Sequence, residues 1–218
     1  MPRTALSLFG LFVLLAVCLR AALHRQQTGS FGLRLPRGRG VAREWVVVAL
    51  LVGSFSLVGV VAPLLHLAHA VEPLPALVGS GVRRFGLACS ASGLLIVLGS
   101  QLWMGRSWRM GVDPLERTAL VTGGPFAVVR NPIFTGVVVM AVGLTALAPS
   151  AMALGGLALV VAAVEAQVRW IEEPHLRAAH GAAYAAYAAR TGRFAPGLGR
   201  ARGATTAGTA GPTSSTPP

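Results

Sequence analysis

Residues 131–164 read NPIFTGVVVMAVGLTALAPSAMALGGLALVVAAV, a run of 34 residues without a charged side chain. One straight helix of this length would rise about 50 Å, whereas the hydrocarbon core of a bilayer is about 30 Å thick. Pro149 and Ser150 fall near the middle of the run. We therefore predict a helical hairpin with arms at residues 132–147 and 151–171, each slightly short, as expected for tightly paired or tilted helices.

Three further apolar runs precede the hairpin, at residues 4–19, 45–65 and 85–105. The first run could be a cleaved signal peptide, but arginine and histidine occupy the place of a small-residue cleavage site, which favours a retained span. We expect Arg20, which follows it, to extend its guanidinium to the membrane interface. The sequence thus predicts an all-α, polytopic membrane helix bundle of about five transmembrane helices.

Composition and charge agree with a membrane protein. Of the 218 residues, 54% are hydrophobic and 12% charged, which is about half the charge of an ordinary soluble domain. The net charge of +12 comes from 19 arginines against seven acids, and no long soluble segment is present to carry a nucleic-acid surface. The arginine-rich loops follow the first and third spans, so we expect them on the cytoplasmic side of the membrane. We expect this membrane to be a bacterial plasma membrane, with the N-terminus of the protein outside and the C-terminus in the cytoplasm.

The positions of the apolar runs and polar motifs divide the chain into three regions. Residues 1–84 hold the first two spans, residues 85–197 form the core in which the polar motifs lie, and residues 198–218 are a tail with almost nothing to bury. We expect the tail to be disordered.

The start of the hairpin is the first candidate site. Asn131 is a good helix N-cap and Pro132 suits the first helical position, so the fourth span begins here with Arg130 beside it. A helix start offers unpaired amides and a partial positive charge, which favour an anionic ligand group. The same residues also fit a capped membrane helix with an interfacial arginine and no ligand.

The end of the hairpin carries four charged residues: Glu165, Arg169, Glu172 and Glu173. Their spacing places them on one helix face, and Glu165 can pair with Arg169 at i, i+4. Ionisable groups near membrane depth usually face a cavity or the protein interior. A solvated face on a helix that leaves the membrane is the alternative interpretation.

Beyond this cluster the sequence predicts a short amphipathic helix on the membrane surface, kinked or broken at Gly181, with Tyr184 and Tyr187 as interface anchors. His175 and His180 are five residues apart and diverge on a helix, and the two cysteines lie in apolar runs. We predict no metal site.

Two motifs together resemble a known family. The run LVTGGPFAVVRNPIFTG, residues 120–136, resembles the Leu-Val-x-x-Gly-Pro-Tyr-x-x-x-Arg-His-Pro-x-Tyr-x-Gly signature of isoprenylcysteine carboxyl methyltransferases. The run EEPHLRAAHGAAYAAYAARTGRFAP, residues 172–196, resembles their second signature, Glu-Glu-x-x-Leu…Gly-x-x-Tyr-x-x-Tyr…Arg-x-x-Pro. Phospholipid methyltransferases share the general pattern.

The resemblance implies an S-adenosylmethionine-dependent methyltransferase of a lipophilic acceptor, with membrane lipids as further partners and a cofactor pocket at the cytoplasmic side of the last two spans. It implies cofactor contacts from the following residues: Thr118, Ala119, Leu120, Val121, Phe126, Asn131, Pro132, Ile133, Phe134 and Glu172. Arg169, Glu172 and Arg130 are the catalytic candidates, with either arginine able to hold an anionic acceptor. Asn131 replaces the family histidine, and Phe126 and Phe134 replace tyrosines, so hydrogen bonds of those side chains are lost or altered.

Two other functions fit parts of the sequence. A small transporter could use Glu165 and Arg169 to line a path, although the polar residues cluster at one end and no broken helix reaches the midplane. A membrane reductase that uses NADPH could share a similar C-terminal hairpin. Binding of S-adenosylhomocysteine or of NADPH separates these functions.

Overall fold

The computed structural model describes residues 1–32, 41–108 and 119–201 of the chain. Within these ranges the regular structure is helical, apart from one isolated parallel bridge between Val129 and Gly192. In chain order the helices are α1 (Pro2–Thr28), α2 (Val41–Leu67), α3 (Ser80–Met104), the single turn α4 (Pro125–Val128), α5 (Pro132–Leu147) and α6 (Ala151–Arg190).

Four of these helices are long and apolar enough to cross a membrane: α1, α2, α3 with its 3₁₀ extension to Ser107, and α6. The shorter helix α5 is equally apolar, and its 16 residues rise about 24 Å. The predicted polytopic helix bundle is therefore confirmed.

The hairpin has the predicted bounds at three of its four ends. Helix α5 spans Pro132–Leu147, and α6 begins at Ala151. The hydroxyl of Ser150 accepts a hydrogen bond of 3.2 Å from the Ala153 amide, and so caps the start of α6. The turn between the arms is also fixed from outside, because the Leu74 amide donates to the Pro149 carbonyl at 3.0 Å.

Helices α3 and α5 pack against each other through glycines. A Cβ atom added to Gly93 would lie 2.5 Å from the Met140 amide nitrogen and 2.6 Å from the Gly136 carbonyl oxygen. A Cβ atom on Gly143 would lie 2.7 Å from the Gly86 carbonyl oxygen. The two backbones are therefore in direct contact, as is common where small residues line a membrane helix interface.

One hydrophobic core joins α1, α2, α3 and the hairpin. Its buried members are Ala5, Phe12, Ala16, Val58, Leu94, Val97, Met140, Ala141, Leu144, Leu147, Ala148, Val160 and Val164. Helix α1 is thus packed into the bundle, with three buried residues in this core and four partly buried ones against it.

The second hairpin arm does not stop near residue 171 as predicted. Helix α6 continues to Arg190, with a π-helical segment at Val168–Glu172 and a kink at Gly181, where φ is +48°. Glycine adopts this φ without the strain that a Cβ atom would cause. The predicted kink or break at Gly181 is confirmed, and the part of α6 beyond it carries Tyr184 and Tyr187 into the protein instead of along the membrane surface.

The prediction for Arg20 is also wrong. Its side chain is buried and donates to the carbonyl oxygens of Gln101 and Gly105 at the end of α3, and its guanidinium lies 4.5 Å from the ring centre of Trp108. Carbonyl acceptors and an aromatic face are available inside the bundle, so the guanidinium does not need to reach the interface.

Candidate active site

The two sequence motifs meet at one end of the bundle. The Arg130 amide donates to the Gly192 carbonyl at 2.8 Å, and the Asn131 amide donates to the Arg193 carbonyl at 3.1 Å. One turn into α5, the Thr135 hydroxyl donates to the Phe194 carbonyl at 2.9 Å. The segment that follows α6 therefore lies directly against the start of α5.

The buried side chain of Arg130 binds this segment from the other side. Its Nη1 atom donates to the carbonyl oxygens of Ala188, at 2.9 Å, and of Thr191. Its Nη2 atom donates to Glu173 Oε1 at 2.9 Å and to the Gly199 carbonyl at 3.0 Å. Four protein acceptors thus surround a guanidinium that the sequence offered as a ligand for substrate.

Glu173 is the centre of the charged cluster. Its side chain, only 3% exposed, also accepts Arg193 Nε at 2.8 Å, Arg193 Nη2 at 3.0 Å and Arg177 Nη2 at 3.0 Å. The hydrogen bond to Glu173 raises the pKa of Arg193, which keeps that guanidinium charged. One carboxylate is shared by three guanidiniums, so the cluster has an excess of positive charge.

Asn131 does not cap α5 with its side chain. It occupies the N-cap position, but its Nδ2 atom donates to the Arg193 carbonyl at 3.2 Å. The predicted capping bond to Asn131 Oδ1 is absent, and the side chain is instead oriented by segment 192–194, which lies against the helix start and accepts from Nδ2. Pro132 is buried beside it, while Ile133 and Phe134 are partly buried and pack against the main core.

The four charged residues at the end of the hairpin have different partners. Arg169 and Glu165 form the predicted i, i+4 ion pair, and both side chains are exposed. Glu172 accepts a hydrogen bond of 3.3 Å from Gln167 Nε2, and Glu173 turns into the arginine cluster. Arg169 and Glu172 both belong to the π-helical segment, a feature that often occurs at functional sites.

The segment that precedes α5 lies against the end of α6. Leu120 packs on a small core formed by Tyr184, Tyr187 and Ala188. The Tyr187 hydroxyl donates to the carbonyl oxygen of buried Phe126 at 2.6 Å. Both tyrosines are therefore internal packing residues, and the prediction that they anchor the membrane interface is wrong.

Ala119 and Val121 flank Leu120 in the same extended segment, with Ala119 exposed and Val121 partly buried. Thr118, the first predicted cofactor contact, lies outside the described residues, as do residues 202–218 of the predicted tail.

A cavity of about 190 Å³ opens between α5 and α6, next to this contact. It is lined by Thr135, Val138, Val139, Val161, Val164, Glu165 and Phe194. Ligand pockets typically measure about 300–1,000 Å³. This smaller and mostly apolar space fits a hydrocarbon chain better than the nucleoside predicted for this end of the bundle.

Polar acceptors that fit an S-adenosylmethionine-type ligand lie beside Glu172. Gln167 Oε1 is buried without a hydrogen-bond partner among the described residues, and Glu172 is partly buried with the one bond from Gln167. Buried oxygens of this kind are normally satisfied, so this pair can take the hydroxyl or ammonium donors of such a cofactor.

A comparison with known proteins identifies a family match over this part of the chain. Residues 82–183 match the family model of phospholipid methyltransferases. The match begins in the first turn of α3 and ends in the last part of α6, ten residues after Glu173. It therefore contains Arg130, Arg169 and Glu172. It confirms the resemblance to the related isoprenylcysteine and phospholipid methyltransferases, and it indicates a membrane methyltransferase.

No match was found among curated proteins or among solved structures.

The sequence placed Glu173 on the candidate helix face without a role of its own, and it did not single out Arg177 or Arg193. Glu173 and Arg193 were nevertheless visible as the second glutamate and the arginine of the second motif. Their partner Arg130 is the arginine of the first motif. Pairing the charged positions of the two motifs would have predicted this cluster.

Proposed function

We propose that this protein transfers a methyl group from S-adenosylmethionine to a lipophilic acceptor at the membrane. The observation that carries the proposal is the contact of Arg130 with Glu173, which joins the two motif segments inside the region that matches phospholipid methyltransferases. Both segments are needed for the predicted pocket, and they lie together at one end of the bundle.

The cofactor, when bound, supplies an electrophilic methyl group on a sulfonium. Glu172 and Gln167 would hold its polar donors, and residues 119–121, Phe126 and the start of α5 would line the rest of its site, with Thr118 assigned from the sequence alone. The Nδ2 atom of Asn131 donates to the Arg193 carbonyl, which holds this residue at the start of α5.

The acceptor approaches from the side of α5 and α6. Its apolar chain occupies the cavity between the two helices, where valine side chains exclude water. Arg169 and Glu165 lie at the rim and hold the polar headgroup. A carboxylate oxygen of the acceptor would form the bond to the methyl carbon as the carbon–sulfur bond breaks, and S-adenosylhomocysteine would leave without any proton transfer. An amine acceptor would also lose a proton, and the Glu165 carboxylate in the lining of this cavity is the base that would take it.

Arg130 acts in this scheme as a positioning residue. Its Nη1 and Nη2 atoms donate to four oxygen atoms of the protein, and only buried Nε has no hydrogen-bond partner among the described residues, which leaves little capacity for an acceptor headgroup. It fixes the start of α5 against the segment after α6. The arginine-rich loops support a cytoplasmic location for this end of the bundle.

Substituting Glu172→Gln tests the proposal. We expect S-adenosylhomocysteine to bind about tenfold or more weakly to the detergent-purified variant, because one charged hydrogen-bond acceptor of the cofactor is lost. Isothermal titration measures the affinity, and Glu72→Gln, an exposed acid on the loop between α2 and α3, is the matched control. Unchanged affinity in the Glu172 variant contradicts the assignment, and binding of NADPH instead of the thioether nucleoside contradicts the methyltransferase.

A further inference from the structure

A second cavity lies at the other end of the bundle, away from the Arg130 cluster. It is an open cavity of about 330 Å³, bordered by Met1, the end of α2, the loop that follows it, the start of α3 and the tip of the hairpin. This volume falls in the range of small-molecule sites, about 300–1,000 Å³. The methyl-transfer proposal does not use this cavity.

The polar side chains on its wall can all donate hydrogen bonds, and none of them is acidic. His66, Ser80 and Arg83 line the cavity, and no aspartate or glutamate does so among the described residues. His66 Nδ1 is buried without a hydrogen-bond partner. In the described part of the chain Arg83 has no ion pair, although an arginine at a membrane boundary gains most from an anionic partner.

The remaining wall is apolar, with Leu77 and Leu147 among its residues. A small inorganic anion would leave these side chains facing water, whereas an anion with a hydrocarbon chain would cover them. The lining therefore matches both parts of an amphiphile, the headgroup against Arg83 and His66 and the chain against the leucines.

We propose that this cavity binds the anionic headgroup of a lipid amphiphile from the leaflet opposite the methyl-transfer site. The headgroup chemistry is a phosphate or a carboxylate held by Arg83, with His66 and Ser80 as further donors. The site is separate from the transferase machinery, so its occupancy is independent of the cofactor.

Native mass spectrometry of the full-length protein in a neutral detergent measures this binding. Three probes are added in turn: a short-chain phosphatidylglycerol, laurate, and an uncharged monoacylglycerol of the same chain length. We expect one or both anionic probes to bind in a one-to-one complex and the uncharged probe to bind at least tenfold more weakly. Binding of phosphatidylglycerol alone identifies a phospholipid as the source, and binding of laurate alone identifies a fatty acid.

Two variants and a matched control locate the site. Arg83→Gln should weaken binding of the anionic probe about tenfold, and His66→Phe, which keeps an aromatic ring but removes both nitrogens, severalfold. Arg84→Gln removes the same charge from the next residue, which does not line the cavity, and should bind as the parent does. Arg83 is exposed, so its variant is expected to fold even if the His66 variant does not. Equal affinity in the Arg83 and Arg84 variants, or equal binding of the uncharged probe, overturns the proposal.

Discussion

At the scale of single residues, Glu173 holds together three arginines from different parts of the chain. Arg130 precedes α5, Arg177 lies one turn further along α6, and Arg193 belongs to the segment after it. A buried carboxylate is costly to desolvate, but this one accepts charge-assisted hydrogen bonds at both of its oxygens. Its loss would leave the buried guanidinium of Arg130 without an anion.

Glu173→Gln is therefore expected to destabilise the protein by about 3–5 kcal/mol, the usual cost of breaking a buried ion pair on one side. Thermal unfolding in detergent measures the change. Glu165→Gln removes the same charge from the exposed pair with Arg169 and should cost less than about 1 kcal/mol. Similar losses in the two variants would show that burial does not set the strength of the Glu173 cluster.

The residue roles show where local sequence is insufficient. Asn131 has the identity and position of an N-cap, but the acceptor that draws its side chain away is 62 residues further along the chain. Arg20 follows an apolar run, as an interfacial arginine does, but its acceptors are the carbonyls of Gln101 and Gly105 in another helix. Neither partner can be identified from spacing near the residue itself.

At the scale of helices, the contact of α3 with α5 depends on glycines that let the backbones meet. Gly93→Leu should drive a side chain into the backbone of Met140 and Gly136 and so separate the two helices. We expect a loss of about 3 kcal/mol or more, since no rotamer relieves a clash with backbone atoms. The yield of folded protein and the midpoint of thermal unfolding measure it.

Gly99→Leu is the matched control on the same helix, because a Cβ atom there would meet nothing within 4 Å. The control should unfold at nearly the parent temperature. If Gly93→Leu does so as well, the close approach of α3 and α5 is not what stabilises the bundle.

Helix boundaries were predictable where they depend on neighbouring residues. Asn131-Pro132 marked the start of α5, and Pro149-Ser150 marked the turn before α6, because proline and a capping serine act locally. The continuation of α6 past residue 171 was not predictable in this way. The burial of Tyr184 and Tyr187 against the Phe126 segment stabilises that part of the helix, and this contact depends on the tertiary fold.

At the scale of the whole molecule, residues 191–201 close the candidate active site. They supply acceptors for Arg130 and Asn131, and the Ala201 amide donates to the Ala188 carbonyl at 2.9 Å. A chain that ends after residue 190 should therefore insert in the membrane but lose S-adenosylhomocysteine binding, as measured by titration. A chain that ends after residue 201 should bind like the parent. If the shorter chain binds S-adenosylhomocysteine as the parent does, residues 191–201 are not part of the cofactor site.

The fold was more predictable than the site for a physical reason. Apolar runs that end at charged residues or at proline indicate where each helix begins and ends, and this pattern predicted the bundle and the hairpin. The site depends on contacts between two segments about 40 residues apart, of which Arg130 with Glu173 is the central one. The second motif contained the necessary charges, but the sequence did not show that Glu173, and not Glu172, receives Arg130.

The bridge between Val129 and Gly192 also sets an order of events during biosynthesis. The ribosome synthesises the start of α5 some 60 residues before Gly192. Arg130 and the start of α5 therefore lack their partners from the segment after α6 while the hairpin inserts. Only when Arg193 and Phe194 have left the exit tunnel can the Asn131 amide and the Thr135 hydroxyl exchange water for the carbonyl oxygens of these two residues. An interrupted translation product would hence be a membrane-inserted protein without a completed pocket, and one unable to consume cofactor.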